Sequence, residues 1–196
     1  VTGVGSAAPR AKDGHGIGEA ALIDRIRARD RRAFEMLYRA WDTRLSRFLL
    51  NLLRRPHLVE EVRNDTMMVV WNRIGGFNGE SRLSTWMFGI AYRQGLAALR
   101  KLDEPVDDDR SEALASDAAT PEENSRAVRV KLALAEAIDG LSVSHRAVVN
   151  LTYYQDFSYR EIAEIMDCPV DTVKTRMFHA RRHLKQSLPG DLSDWL

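Results

Sequence analysis

The sequence predicts an all-α protein: two small helical domains joined by a flexible acidic linker, with a helix-turn-helix in the C-terminal domain. Three observations predict this. Apolar residues recur at three- and four-residue spacing through two long blocks, and no β-type alternation of any length appears. Charge is partitioned along the chain, with two basic blocks either side of an acidic one. The stretch from Ser158 to Arg182 carries the start, turn and buried stripe of two short consecutive helices.

The 196 residues suffice for one medium domain or two small ones, and 44% hydrophobic content is ordinary for a globular chain. The formal net charge of +1 hides the partition. Residues 20–102 carry a net +8, residues 103–125 a net −8, and residues 126–188 a net +3. Cys168 is the single cysteine, which excludes an intramolecular disulfide and a Cys-rich zinc site and fits a reducing, cytoplasmic setting. No apolar run approaches a membrane span of about 20 residues, so no direct membrane insertion is expected. Residues 1–19 are Gly- and Ala-rich and read as a flexible tail without a signal-peptide core.

The first block, 20–102, reads as helices throughout. Ala20–Ala28 is short. Arg31–Leu53 follows, with Phe34, Leu37, Tyr38, Trp41, Leu45, Phe48 and Leu49 on one side and Pro56 as its terminator. Leu58–Ile74 presents Val62, Met67, Val70, Trp71 and Ile74 to the core. Three glycines within Gly75–Ser81 make a loop. Ser84 is expected to cap a last helix that runs to about Lys101.

Residues 103–125 are acidic, carry two prolines and lack aromatics, a composition that cannot bury enough apolar surface to fold alone. Fully extended they reach roughly 75 Å at about 3.3 Å per residue. That is about two turns of duplex, so two tethered domains can occupy separate DNA elements. Residues 189–196 form a C-terminal tail.

The second block, 126–188, opens with Val128–Leu141 and Ser144–Tyr154, the latter placing Val148, Val149, Leu151 and Thr152 near its core face. Ser158 with Glu161 three residues later forms a capping box. Tyr159, Ile162, Ala163 and Met166 share one face; Asp167-Cys168 makes the turn, and Pro169 suits the first turn of the next helix. On that helix Val173, Met177, Ala180 and Leu184 form a buried stripe, leaving Thr172, Lys174, Thr175, Arg176, His179, Arg182 and Lys185 outward. A cationic second helix is what a helix-turn-helix lays in a DNA major groove.

These residues, taken together, resemble the extracytoplasmic-function (ECF) group of the sigma-70 family of bacterial RNA polymerase sigma factors. The resemblance spans about 20 to 188. It rests on Phe34–Tyr38, Glu60–Trp71 and Phe77–Arg93 in the first half, and on Leu141-Ser142, Tyr159–Ala163 and Cys168–Arg176 in the second. Arg63 and Asn64 depart from the family's more usual apolar and Gln residues, and Asp167 and Asp171 stand where Gly is frequent. The resemblance implies a non-enzymatic subunit without cofactor. It implies a region 2-like domain over 20–102 that binds core polymerase and the −10 element, and a region 4-like domain over 126–188 that reads a −35 element. Core RNA polymerase, promoter DNA and an anti-sigma factor are the implied partners.

Promoter opening requires capture of an unpaired strand, and a glycine loop beside aromatic and cationic residues suits a flipped, stacked base. Phe77, Asn78, Ser81 and Arg82 are the expected pocket wall, with Tyr92, Arg93 and Gln94 on the next helix and Arg100 and Lys101 on phosphates. Asn64, Asp65 and Met68 are the expected polymerase contacts, by resemblance. Thr172, Lys174, Thr175, Arg176, His179 and Arg182 are the expected duplex readers. The blander reading is that Phe77 and Tyr92 pack the bundle and that the cations are a solvated face. A free-standing helix-turn-helix regulator is the alternative function; a response regulator, however, needs strands that residues 20–102 do not show. No phosphate loop, nucleophile triad or metal-ligand spacing points to an enzyme.

Overall fold

The computed structural model describes residues 17–102 and 126–187. Eight α-helices make up nearly all of the described residues, and no strand is among them. They are α1 (Ile17–Arg27), α2 (Arg31–Leu53), α3 (Pro56–Arg73), α4 (Leu83–Lys101), α5 (Arg126–Asp139), α6 (Val143–Tyr153), α7 (Tyr159–Met166) and α8 (Val170–Ser187). The expected tails and the acidic linker lie outside the described residues.

The first half is built on α2. Asp30 caps it, its carboxylate accepting from the amides of Arg32 and Ala33. The hydrogen bond and charge of Arg25, with those amides, hold the Asp30 carboxyl below its usual range. The helix buries Leu37, Leu45, Phe48, Leu49 and Leu52 at heptad-like spacing. It ends at Arg54, which adopts the left-handed conformation (φ 56°). Pro56 therefore does not terminate α2; it occupies the first turn of α3, where a missing N–H leaves nothing unsatisfied.

α3 packs its expected Val62, Met67 and Val70 against α2 and α4, and a 3₁₀ turn at Ile74–Gly76 opens the glycine loop. α4 starts one turn earlier than the expected Ser84 cap. Its N-cap is Arg82, without a side-chain cap bond, and Ser84 lies buried inside the first turn. Leu83 and Met87 are the reason, since burying them carries the helix back past Ser84. Gly95 is where α4 crosses α2, because a Cβ there would sit 2.6 Å from Leu52 Cδ2.

In the second half α6 packs on α8, and α7 packs on α8 to complete the helix-turn-helix. The two halves do not stand apart. α7 lies along α4, α6 lies along α2, and one continuous apolar core runs through both. Phe88 of α4 meets Phe157 edge-on with ring centroids 5.1 Å apart, and also meets Phe48 at 5.2 Å. Gly89 leaves α4 open for α7, whose Ile165 Cα would lie 3.7 Å from a Cβ on Gly89.

Arginines surround this apolar seam. Arg44 lies over the Trp41 ring at 4.8 Å and donates to both the side chain (3.1 Å) and the carbonyl (3.2 Å) of Gln155. Arg54 pairs with Asp139. Arg146 of α6 donates to the carbonyls of Leu141 (2.7 Å), Asp139 (3.3 Å) and Leu52 (3.3 Å). Burial and the neighbouring Arg54 charge pull the Arg146 guanidinium down to about 10, so it stays cationic at neutral pH.

Two substitutions test this architecture by chemical denaturation. Gly95→Ala gains helix propensity yet forces the packed Leu52 aside, and a net loss of about 1–3 kcal/mol is expected. Arg146→Ala leaves the Leu52 and Leu141 carbonyls without their charged donor and is expected to cost about 2 kcal/mol.

Candidate nucleic-acid interface

The helix-turn-helix is assembled by local chemistry. Ser158 N–H donates to Glu161 Oε2 (2.8 Å) while Glu161 N–H donates to Ser158 Oγ (3.3 Å), the reciprocal capping box. At the other end Asp167 takes the left-handed conformation (φ 51°), and the Cys168 amide donates to the Ala163 carbonyl at 3.0 Å. That conformation explains why glycine suits this position. Ile162, Ala163, Ile165 and Met166 are buried beneath α8, whose Val173, Met177 and Ala180 face them.

The outer face of α8 carries most of the expected duplex readers. Lys174, Thr175, His179 and Arg182 are exposed, and Thr172 is half-buried. Lys174 is engaged with Asp171 at 2.8 Å; the shared hydrogen bond and opposite charge push the Lys174 ammonium up and the Asp171 carboxyl down. Thr175 Oγ1 donates to the Asp171 carbonyl at 3.0 Å. Arg176 differs from expectation. It is only 8% exposed, and its Nη1 lies 3.7 Å from Cys168 Sγ at the turn. At position 176 the side chain falls beside the buried stripe, so the guanidinium braces the turn instead of facing outward.

Phe178 was not expected in this interface. It is 63% exposed, one turn beyond Lys174 and Thr175, in the middle of the cationic face. The signal was legible: it is an apolar residue off the Val173–Met177–Ala180 stripe. Arg181, also exposed, donates to the Tyr153 hydroxyl at 2.7 and 3.1 Å.

The expected strand-capture residues divide. Asn78, Arg82, Arg93, Arg100 and Lys101 are exposed, and Ser81 and Gln94 are half-buried. Asn78 Oδ1 accepts from the Glu80 amide at 3.1 Å and so folds the loop upon itself. Phe77 and Tyr92 are each 6% exposed, and the expectation that they offer free stacking faces fails for this arrangement. Phe77 packs on Trp86 at 5.3 Å, and its carbonyl accepts from Arg27 at 2.5 Å. Tyr92 shares the inner row of α4 with Phe88 and Leu99. Arg82 is bridged at 3.4 Å to Glu161, the capping-box acid of the other half.

On α3, Asp65 and Met68 are exposed, Met68 by 54%. Asn64 is exposed too, but its Oδ1 accepts from the Tyr38 hydroxyl at 2.8 Å and so ties α3 to α2. Arg63 is accommodated by Asp42 at 3.0 Å and by the Tyr38 ring at 5.7 Å. Among the described residues no cluster of His, Cys, Asp and Glu could hold a metal ion, and no helix is long and apolar enough to cross a membrane.

The family models for sigma-70 region 2 and sigma-70 region 4 match residues 37–104 and 131–184. The chain belongs to the ECF group of the sigma-70 family. The RNA polymerase sigma-H factor of Pseudomonas aeruginosa is 25% identical over 85% of this chain and 92% of its own length. The ECF sigma-E factor of Haemophilus influenzae is 27% identical over 86% of this chain and 94% of its own. Among solved structures, the sigma factor RpoE of Bartonella quintana, in complex with the anti-sigma factor NepR, is similar with a TM-score of 0.61. It is 27% identical and covers 81% of this chain and 98% of its own. CnrH in complex with the cytosolic domain of CnrY shares the fold, with a TM-score of 0.62 at 22% identity over 85% of this chain and 94% of its own. The ECF sigma factor binds core RNA polymerase and directs promoter-specific initiation of transcription, recognising an upstream duplex element and opening the DNA at a downstream one. The family is not one of catalytic enzymes.

Loss of the Ser158 cap tests the local account of the helix-turn-helix. Ser158→Ala is expected to lower stability by about 1 kcal/mol in chemical denaturation, because it frees the Glu161 amide and breaks both arms of the box.

Proposed function

We propose that the work is divided between the two halves, the region 4-like unit (126–188) gripping the upstream duplex element and the region 2-like unit (20–102) capturing the opened strand. The supporting observation is the exposed row Lys174, Thr175, His179 and Arg182 on α8, with Phe178 among them, on a helix-turn-helix whose other face is buried. Arginine and lysine suit phosphates and guanine edges, and an exposed phenylalanine suits the thymine methyl. Arg176 supports this surface from behind.

For the downstream element the accessible groups are Asn78, Ser81, Arg82, Arg93, Gln94, Arg100 and Lys101. Arg82 reaches DNA only after parting from Glu161, and Phe77 and Tyr92 only after the loop or the α4–α7 seam rearranges. Asp65 and Met68 are the polymerase contacts, with Asn64 setting the α2–α3 spacing behind them. The chain acts without catalysis or cofactor and works in the cytoplasm, where promoter DNA lies. An anti-sigma factor is its regulator, by analogy with the complex of the Bartonella quintana relative.

The experiment is transcription in vitro with core polymerase on a library of promoters, followed by start-site mapping. Lys174→Ala and Arg182→Ala are each expected to weaken upstream binding and to reduce the salt slope by about one. Arg93→Ala is expected to impair opening while sparing upstream binding. A chain that selects no start site but binds an operator unaided would instead be a free-standing regulator.

A further inference from the structure

A cleft of about 590 Å³ lies between the start of α6 and the middle turns of α8. Its polar lining comes from Ser142 and His145 on one side and Thr175, His179, Arg182 and His183 on the other. No carboxylate is among its lining residues. The His145 and His179 ring centroids are 6.2 Å apart, which leaves room between the rings for one anionic oxygen. The rings are held in place. His145 Nδ1 is 2.9 Å from Ser142 Oγ, and His183 lies on Gly140, where a Cβ would sit 3.0 Å from its Cε1.

The surrounding charges leave this cleft positive. On α8, Arg182 lines it, Lys185 is exposed nearby, and Asp171 is engaged by Lys174. At the α5–α6 turn Asp139 is engaged by Arg54, and Arg146 is turned to the carbonyls of Leu141, Asp139 and Leu52. Glu136 on α5 is exposed and does not line the cleft. One permanent cation and three imidazoles therefore face a space open to solvent. Imidazole is the side chain that gains its charge between about pH 8 and pH 5.

We infer that this cleft takes a phosphate of the bound duplex and that His145, His179 and His183 make its grip stronger as pH falls. The inference rests on the reading of α8 as the duplex-gripping helix, because Thr175, His179 and Arg182 belong both to the cleft and to the outer face of α8. Protonation of each imidazole adds a positive charge beside a phosphate diester, which stays anionic throughout, so promoter affinity rises on acidification.

The test uses the full chain assembled with core polymerase on a promoter whose start site it selects. Affinity is measured against salt at about pH 6 and about pH 8. The wild type is expected to show a salt slope steeper by roughly one to two at the lower pH, one per imidazole charged. The triple variant His145→Gln, His179→Gln, His183→Gln, with its helical content checked by circular dichroism, is expected to lose that difference. The single exposed variant His179→Gln is expected to lose part of it. Equal slope differences in wild type and both variants, with start-site selection intact, overturn the inference and leave the reading of α8 standing. Failure to select any start site at either pH overturns that reading and the inference with it. Histidine ring resonances that move with inorganic phosphate but not with promoter duplex would assign the cleft to a free phosphate and likewise overturn the inference.

Discussion

The arrangement of this protein depends on buried and half-buried arginines reading backbone carbonyls across the join between its halves. Arg146 donates to Leu52 at the end of α2 while also closing the α5–α6 turn on its own side. A cation at the C-terminal end of a helix meets the negative end of the helix dipole and carbonyls that lack intrahelical partners. Arg44 does the same work from the other direction by reaching Gln155 from α2. Hydrogen bonds to a charged donor are the stronger kind, and their partial burial protects them from salt. The apolar contact of Phe88 with Phe157 supplies area between them, but the guanidinium bonds set the register of one half upon the other.

This closure has a direct bearing on function. The same α4 that carries Arg93, Arg100 and Lys101 on its outer face presents Gly89 to α7, so one helix serves both DNA contact and closure. Arg82 and Glu161 are joined at 3.4 Å, and each has a second role: Arg82 borders the glycine loop and Glu161 completes the α7 capping box. The bridge is largely exposed on the Arg82 side, so it contributes little to stability and parts readily. The recognition helix, by contrast, keeps its outer face open in this arrangement.

Much of the fold was legible in the residues. The core faces of α2, α3 and α8 followed the helical period, and the capping box at Ser158 and Glu161 was readable from two residues three apart. Errors fell at helix ends. Pro56 reads equally well as a stop for one helix and a start for the next; the left-handed Arg54 decides for the latter. Ser84 has the side chain of a cap, yet burial of Leu83 and Met87 outweighs a cap bond of about 1 kcal/mol. In the site, Lys174, Thr175, His179 and Arg182 were readable as outward because they lie far from the buried stripe.

The sequence by itself determined the helices, their buried stripes, the turn of the helix-turn-helix and the family, because each is written in residues a few positions apart or in ordered motifs. The tertiary structure alone decided which borderline side chains turn inward. Phe77, Tyr92 and Arg176 sit at the margins of their helical faces or loop, where a rotation of a few tens of degrees exchanges solvent for core, and only neighbouring elements settle that rotation. It alone also decided the closure of the halves, since Arg44 and Gln155 stand 111 positions apart and Arg146 and Leu52 stand 94 apart. No local period encodes a pairing at such separation; it follows from shape, burial and the carbonyls left open at helix ends.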